Sequence, residues 1–426
     1  MLSSGAPIRC LQPDMSEPAV FKPKRVLILT KLTRLEYERR ANGNLSEPEL
    51  EKLLKRRGSD YSHLLDRHIY HNDYLNTVTQ ELDKHGIEHK VVHRWDYDHD
   101  TIEWADAVFT AGGDGTFLLA ASKIRDKKPV IGINTDPVGS EGYMCLMNKK
   151  PVCEFPQALR RLLNGEFSWL SRQRIRITLR GRNALDDPVE LHNQQLLYPE
   201  HRWYDHIKEV EDDLQRPQNP RWKSRSSRTS SVSVPTGSIG DGVVNDDPFD
   251  SEYVLPHLAL NEVYIGESLS SRVSYYELCV DNEIPIRQKS SGLTACTGTG
   301  STSWYFNINK LTDQCVGELL RIVSDECGVG LNPSGDSISR ICRRFNDQLI
   351  FSPSDRRMAF TVRDPVYNST FLPAAPRGFA NLISVKSRCF DAHLVVDGGM
   401  SYVFNHGTEA TLSMLPEDAL RTVVFR

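Results

Sequence analysis

The sequence Gly112-Gly113-Asp114-Gly115-Thr116 sets small, flexible residues around a single acid. It lies between an apolar run at residues 107–110 and a stretch of helical composition at residues 116–122. Glycine lets backbone amides approach a polyphosphate with no Cβ in the way. A helix that starts there turns its positive end toward the anion. Asp114 would then stand where a substrate hydroxyl meets a phosphoryl donor, able to accept the proton. A tight turn capped by Asp114 is the plainer alternative, but a cap needs only one of these residues.

A second constellation runs from Ser291 to Trp304 as Ser-Gly-Leu-Thr-Ala-Cys-Thr-Gly-Thr-Gly-Ser-Thr-Ser-Trp. Its glycines and hydroxyls suit a loop that offers N–H and O–H donors to phosphate and ribose, with Trp304 as an aromatic wall. Loops of this composition are more often plain turns. A third feature, Asn261-Glu262, lies in a β-like segment at residues 258–264. An amide beside a carboxylate can hydrogen-bond an adenine or a ribose, although a satisfied polar pair in a sheet would look the same.

Other patterns fail on inspection. Asp96, Asp98 and Asp100 imitate the start of a calcium loop, but Thr101 and Ala107 stand where that loop needs Gly and Glu. His85, His89 and His93 are four apart, yet Gly86 and the β-like Val91-Val92 break a shared helix. They read as surface or capping residues, and no protein metal site is expected. The nine cysteines include no CxxC pair, and neither GxxxxGK[ST] nor GxGxxG occurs. Fifty-two Lys and Arg against 56 Asp and Glu leave a net charge of −4, which argues against a nucleic-acid partner. No apolar run approaches the roughly 20 residues that cross a bilayer, so no membrane partner is expected.

The elements that must position these residues fall into two groups. At 426 residues the chain exceeds what one core usually serves. Apolar runs at 26–29, 91–92, 107–110 and 130–133 alternate with helical spacing at 62–85 and 116–122, which predicts an open α/β sheet at 24–165. Past Gly165 the period changes to two. Ile175, Ile177 and Leu179 alternate with Arg174, Arg176, Thr178 and Arg180, placing the arginines on the solvent side of a half-buried strand. Similar segments at 273–280, 358–362, 380–385 and 393–396, with helices near 315–325 and 337–349, predict a β-rich, sandwich-like domain at 166–400. Residues 1–23 read as a flexible N-terminus, and 401–426 as a C-terminal segment that can return to the first domain. Few aliphatics and a Ser/Arg-rich core make about 200–252 a disordered insertion.

In this order the three motifs resemble those of the NAD kinase family. There GGDGT carries the catalytic Asp, an NE pair binds the nucleoside and a TPTGSTAY-like loop lines the NAD site. The likeness runs from about residue 24 to 425 outside the insertion and includes Leu394-Val-Val-Asp-Gly398. Residues 260–272 and 296–301 are similar to the animal mitochondrial branch. GGDGT is shared with diacylglycerol and sphingosine kinases, so a lipid or sphingoid kinase is the rival enzyme. A non-catalytic NAD(P)-binding regulator is the rival of another class. The chain departs from the family pattern at Leu260, for the first Asn of NNE, and at Ser291, for an Asp that holds ribose. Gly298, Ser303 and Trp304 replace Pro, Ala and Tyr.

The resemblance implies an ATP-dependent kinase that phosphorylates the adenosine-ribose 2′-hydroxyl of NAD to give NADP, with Mg2+ neutralising charge. Asp114 becomes the catalytic base, and Gly113, Gly115 and Thr116 take the phosphate side. Asn261, Glu262, Ser291, Thr299, Thr302, Ser303 and Trp304 take the nucleotide. ATP and NAD are then the small-molecule substrates, and a mitochondrial homodimer is expected, although residues 1–13 form no clear presequence. Because 209–246 lacks a buried pattern, replacing it with a short Gly/Ser bridge should leave turnover within about threefold. Steady-state assay and thermal melting check this, and loss of folding or nucleotide binding would refute it.

Overall fold

The computed structural model describes residues 20–137, 139–181, 183–191, 252–331 and 333–425. The insertion expected at about 200–252 and most of 1–23 lie outside them. The chain opens with β1 (Arg25–Thr30), α1 (Arg34–Ala41), α2 (Glu47–Arg56) and α3 (Tyr61–Lys84). β2 (Glu88–Val92), α4 (His99–Trp104), β3 (Ala107–Ala111), α5 (Asp114–Lys123) and β4 (Val130–Ile133) follow. The four strands form a parallel sheet in the order β2-β1-β3-β4. Side chains of a strand alternate between faces. Val26, Ile28 and Phe109 therefore pack toward Tyr74 and Val78 of α3, while Leu27, Leu29 and Val108 pack with Phe117 and Ala120 of α5. The chain leaves β1 for one edge and returns to β3 on its other side, which makes the ends of β1 and β3 the switch point where such sheets bind ligands.

Two antiparallel sheets follow α6 (Phe155–Leu163) and β5 (Phe167–Arg172). The strands are β6 (Ile175–Gly181), β7 (Val189–Glu190), β8 (Glu252–Val254), β9 (Glu262–Glu267), β10 (Ser274–Val280), β11 (Ile286–Ser290), β12 (Leu293–Cys296), β13 (Met358–Val362), β14 (Arg377–Ala380), β15 (Leu382–Ser387), β16 (Ala392–Val396), β17 (Met400–Val403) and β18 (Thr408–Met414). Their orders are β11-β10-β15-β18-β6-β8 and β14-β13-β12-β9-β16-β17-β7. Both sheets feed one core, with Ile177, Ile383 and Leu412 from the first and Val263, Leu293 and Leu394 from the second. This is a sandwich beside an α/β sheet, the expected fold class. The last strand, β19 (Leu420–Phe425), pairs antiparallel with β5, and Phe167, Trp169 and Val423 join the core on the α3 side of the parallel sheet.

Three expectations need correction. The β-like run at 258–264 becomes a strand only from Glu262, because the backbone N–H groups of residues 260–262 donate to a side chain, Asp397, instead of a ladder. The run at 380–385 is two strands in different sheets, broken at Asn381, where Asp281 Oδ1 accepts the N–H groups of Asn381 and Leu382. Arg174 is not on a solvent face; it is 0% exposed. Asp98 does have a role, as the N-cap of α4 in a capping box with Thr101.

Leu420 is fully buried in the core on the α5 side that also holds Phe117, Leu260 and Ala121. Leu420→Ala is expected to lower unfolding free energy by about 2–5 kcal/mol. Leu185→Ala, at a site 73% exposed, should stay within about 0.5 kcal/mol. Urea unfolding monitored by fluorescence checks both.

Candidate active site

Gly112 to Gly115 round the tip of β3 onto α5, whose N-cap is Gly113. The Gly112 N–H donates to the Ile133 carbonyl and the Lys31 N–H to the Ala111 carbonyl, so the loop continues the sheet's own hydrogen bonding. Two of the glycines are required by packing. A Cβ on Gly112 would lie 2.2 Å from Thr116 Oγ1, and one on Gly113 2.4 Å from Ser140 Oγ. A Cβ on Gly115 would meet nothing within 4 Å. That open space at a helix N-terminus is where an anion can sit.

Asp114 faces the loop after β4. Its Oδ1 accepts the Met144 N–H at 2.8 Å and its Oδ2 the Tyr143 N–H at 3.1 Å, while its own N–H donates to Ser140 Oγ at 3.3 Å. Each oxygen keeps a lone pair for another donor. The loop is anchored by Asp136, which pairs with Arg67 and, at 2.8 Å, with Lys31 Nζ. Burial opposes ionisation of Asp136, but the two cations hold its carboxyl down to about 2.

The facing wall is organised by Asp397. Its Oδ1 accepts the N–H groups of Asn261 and Glu262 at 2.8 and 3.0 Å, and its Oδ2 that of Leu260 at 2.8 Å. Leu260, where the resemblance leads one to expect Asn, packs with Phe117 and Met144 in the core beside α5. An apolar side chain there joins this wall to the Asp114 helix. Asn261 Oδ1 and Glu262 Oε2 are buried and have no partner. Buried acceptors without donors are costly, and a ligand that donates to them removes the cost. Burial, then the Asp397 charge, pushes the Glu262 carboxyl up to about 8. Burial also raises Asp397, to about 6, against its three N–H bonds. Those bonds keep Asp397 the more acidic of the two, so at neutral pH the proton resides on Glu262.

The glycine-rich loop is threaded against the same wall. Thr297 N–H donates to the Asn261 carbonyl at 3.0 Å, and Thr297 Oγ1 to that of Leu260 at 2.5 Å. A Cβ on Gly300 would lie 2.1 Å from the Asn261 carbonyl oxygen, and one on Gly298 1.9 Å from that of Ser352. No larger residue fits at either position. Thr302 Oγ1 turns back to the Thr299 carbonyl at 3.4 Å, and Ser303 is the N-cap of the helix Trp304–Asn309. The Trp304 ring lies 5.1 Å from that of Tyr264, and the Arg363 guanidinium 5.1 Å over it. Tyr264 donates to the Ser291 carbonyl at 2.9 Å, which places Ser291 on the Trp304 side. The structure thus brings Asn261, Glu262, Thr299, Thr302 and Ser303 onto one wall, and Leu260 of that wall shares a core with Phe117 of the Asp114 helix.

Two residues of this site had no signal in the motifs. Asp397 lies in the quoted Leu394–Gly398 stretch, but nothing local says that its side chain crosses to residues 260–262. Arg172, the last residue of β5, is 7% exposed and donates through Nη1 to Thr299 Oγ1 at 3.2 Å.

The family model for the ATP-NAD kinase N-terminal domain matches residues 27–167. The whole chain extends the likeness. It is 42% identical over 408 residues to the rat protein named NAD kinase 2, mitochondrial, covering 95% of this chain and 88% of that one. The Xenopus tropicalis protein of the same name is 42% identical over 424 residues, covering 95% and 91%. The chain belongs to the NAD kinase family. The human member is also 42% identical over 408 residues, covering 95% of this chain and 85% of its own. Membership carries the resemblance seen in the motifs across the sandwich as well as the parallel sheet.

The Glu262 proton has a measurable consequence. Folding raises this carboxyl from 4.5 to about 8. Its contribution to stability is therefore whole below pH 4.5 and is lost as pH rises through about 8. Thermal melts of the ligand-free protein between pH 5 and 9 should show the decline, and Glu262→Gln should flatten it. A variant that declines as steeply as the parent would place the titration elsewhere.

Proposed function

We propose that this chain is an ATP-dependent NAD kinase that phosphorylates the 2′-hydroxyl of the adenosine ribose of NAD, giving NADP. The observation that carries the reading is a carboxylate at the mouth of an open helix N-terminus, whose helix shares a core with the segment that carries buried acceptors without donors. Gly115 leaves room for phosphate, with Gly113 and Thr116 beside it. Asn261 and Glu262 take nucleoside hydroxyl or amino donors, and the protonated Glu262 can donate as well. Thr299, Thr302, Ser303 and Ser291 border the nucleotide, with Trp304 as the apolar wall.

In the reaction, a free lone pair on Asp114 accepts the 2′-hydroxyl proton as the oxygen attacks the γ-phosphorus of ATP. The bond to the β–γ bridging oxygen breaks, and the electron pair leaves with ADP. Among the described residues no group of three or more His, Cys, Asp or Glu could hold a metal ion. Mg2+ would supply neutralisation of the phosphate charge, and the residues on hand for the rest of that charge are the helix N-terminus and Arg172. The reading extends to a mitochondrial homodimer, which the likeness to the animal mitochondrial branch supports. Among the described residues, no helix is long and apolar enough to cross a membrane.

Purified protein incubated with Mg-ATP and NAD should form NADP. Asp114→Asn removes the proton acceptor and turns an amide NH2 toward the Tyr143 or Met144 N–H. Its kcat is expected to fall by roughly 10²- to 10⁴-fold. Calorimetry should show NAD binding retained. Near-normal kcat in the variant would reject Asp114 as the base.

A further inference from the structure

The cleft contains a cation that the reading so far barely uses. Arg172 is 7% exposed, and among the described residues it forms no ion pair. Its Nη1 donates to Thr299 Oγ1, but its buried Nε–H has no partner. A guanidinium in that state loses its hydration and recovers little of it from one hydroxyl. Burial lowers its pKa to about 10, against the charges of Asp114 and Cys145, so it stays protonated at neutral pH. It therefore lies within the electrostatic reach of the carboxylate that meets the 2′-hydroxyl, and it touches the loop on the opposite wall. The backbone is held by pairing with Leu420, and Ser171 is tied to Ser354. The side chain is a fixed cation with one free edge.

We propose that Arg172 is the receptor for the transferred phosphoryl group, binding it as it forms its bond to the 2′-oxygen and holding the 2′-phosphate of the product. The inference rests on the NAD kinase reading and assigns its charge stabilisation to a named residue. Before transfer the 2′-position of NAD is a neutral hydroxyl, which gives a guanidinium little to bind. Afterwards it carries an anion whose oxygens fit the Arg fork and pair with it through charge-assisted hydrogen bonds. The new oxygen–phosphorus bond replaces the one to ADP, and the hydroxyl proton goes to Asp114, so the added negative charge arrives beside Arg172. A group that binds more strongly as that charge arrives favours transfer over substrate binding. The plain alternative is that Arg172 only braces Thr299.

The two roles separate in the ratio of product to substrate affinity. Calorimetry with Arg172→Gln is expected to show NADP binding weakened about 10- to 100-fold more than NAD binding. Arg172→Lys should recover part of that difference, because it keeps the charge and loses the fork. Thr299→Val should weaken both ligands alike. Equal weakening of NAD and NADP in Arg172→Gln would overturn the proposal in favour of bracing. If the variants do not fold, the unmodified enzyme still decides through phosphorus NMR of bound NADP. The second ionisation of a phosphate monoester lies near about 6, and a buried guanidinium should shift that of the 2′-phosphate downward. An ionisation unchanged from free NADP would overturn the proposal. Formation of NADP by the unmodified enzyme tests the kinase reading separately.

Discussion

The guanidinium of Arg174 is fully buried, and backbone carbonyls accept from its Nε and Nη1 while Nη2 has no partner. Nη1 donates to the Ala121 and Ile124 carbonyls at 2.7 and 2.9 Å, and Nε to that of Asp418 at 2.5 Å. The first two lie at the C-terminal end of α5, where a helix concentrates negative partial charge and unsatisfied acceptors. Arg174 belongs to the link between β5 and β6, so one side chain fastens that end of α5 to the start of the sandwich. The opposite end of α5 carries Asp114. The position of the carboxylate relative to the Asn261 wall is thus set by a clamp at the far end of its helix, and Leu260, in one core with Phe117, ties the same two parts together.

Asp397 plays the matching part on the sandwich side. It orients three successive N–H groups, which fixes the backbone that carries the unpartnered Asn261 and Glu262 side chains. Burial raises the proton affinity of both acids, and the Asp397 charge raises that of Glu262 further. The arrangement sacrifices stability at the site to keep polar atoms ready for a ligand. Buried acceptors at Asn261 and Glu262 and an unpartnered donor at Arg172 all lie in this one region. Ligand binding can therefore return stability that folding left unclaimed.

How far the structure could be read from the chain depends on how local each feature is. β1, β3 and β4 lie within a residue or two of their apolar runs, because strands buried on both faces need no partner to be recognised. α3 closely matches its expected span for the same reason, an apolar stripe ended by Gly86. The helices α1 and α2 are hard to read from the chain, although Ser46 and Glu49 form a capping box with Pro48 beside them. That signal was present, but neither helix offers a long periodic stripe. Misread strand limits at residues 258 and 380 share a cause. In both places a carboxylate from a distant segment, Asp397 or Asp281, takes the N–H groups that would have continued a ladder.

By itself the sequence determined the alternation of strand and helix, the change to period two, and the three motifs with their order. These follow from short-range chemistry: side-chain alternation, helical spacing and the conformational freedom of glycine. It also carried enough resemblance to indicate the family. Only the tertiary structure decided which charges are buried and what meets them. Arg174 reads as an outward residue by alternation, yet α5 covers it. Arg172 looks like any strand-end arginine, yet its guanidinium is buried against Thr299. Asp397 lies well over a hundred residues from the amides it holds. Burial of a charge is a property of everything packed around it, and no stretch of neighbouring residues contains that information.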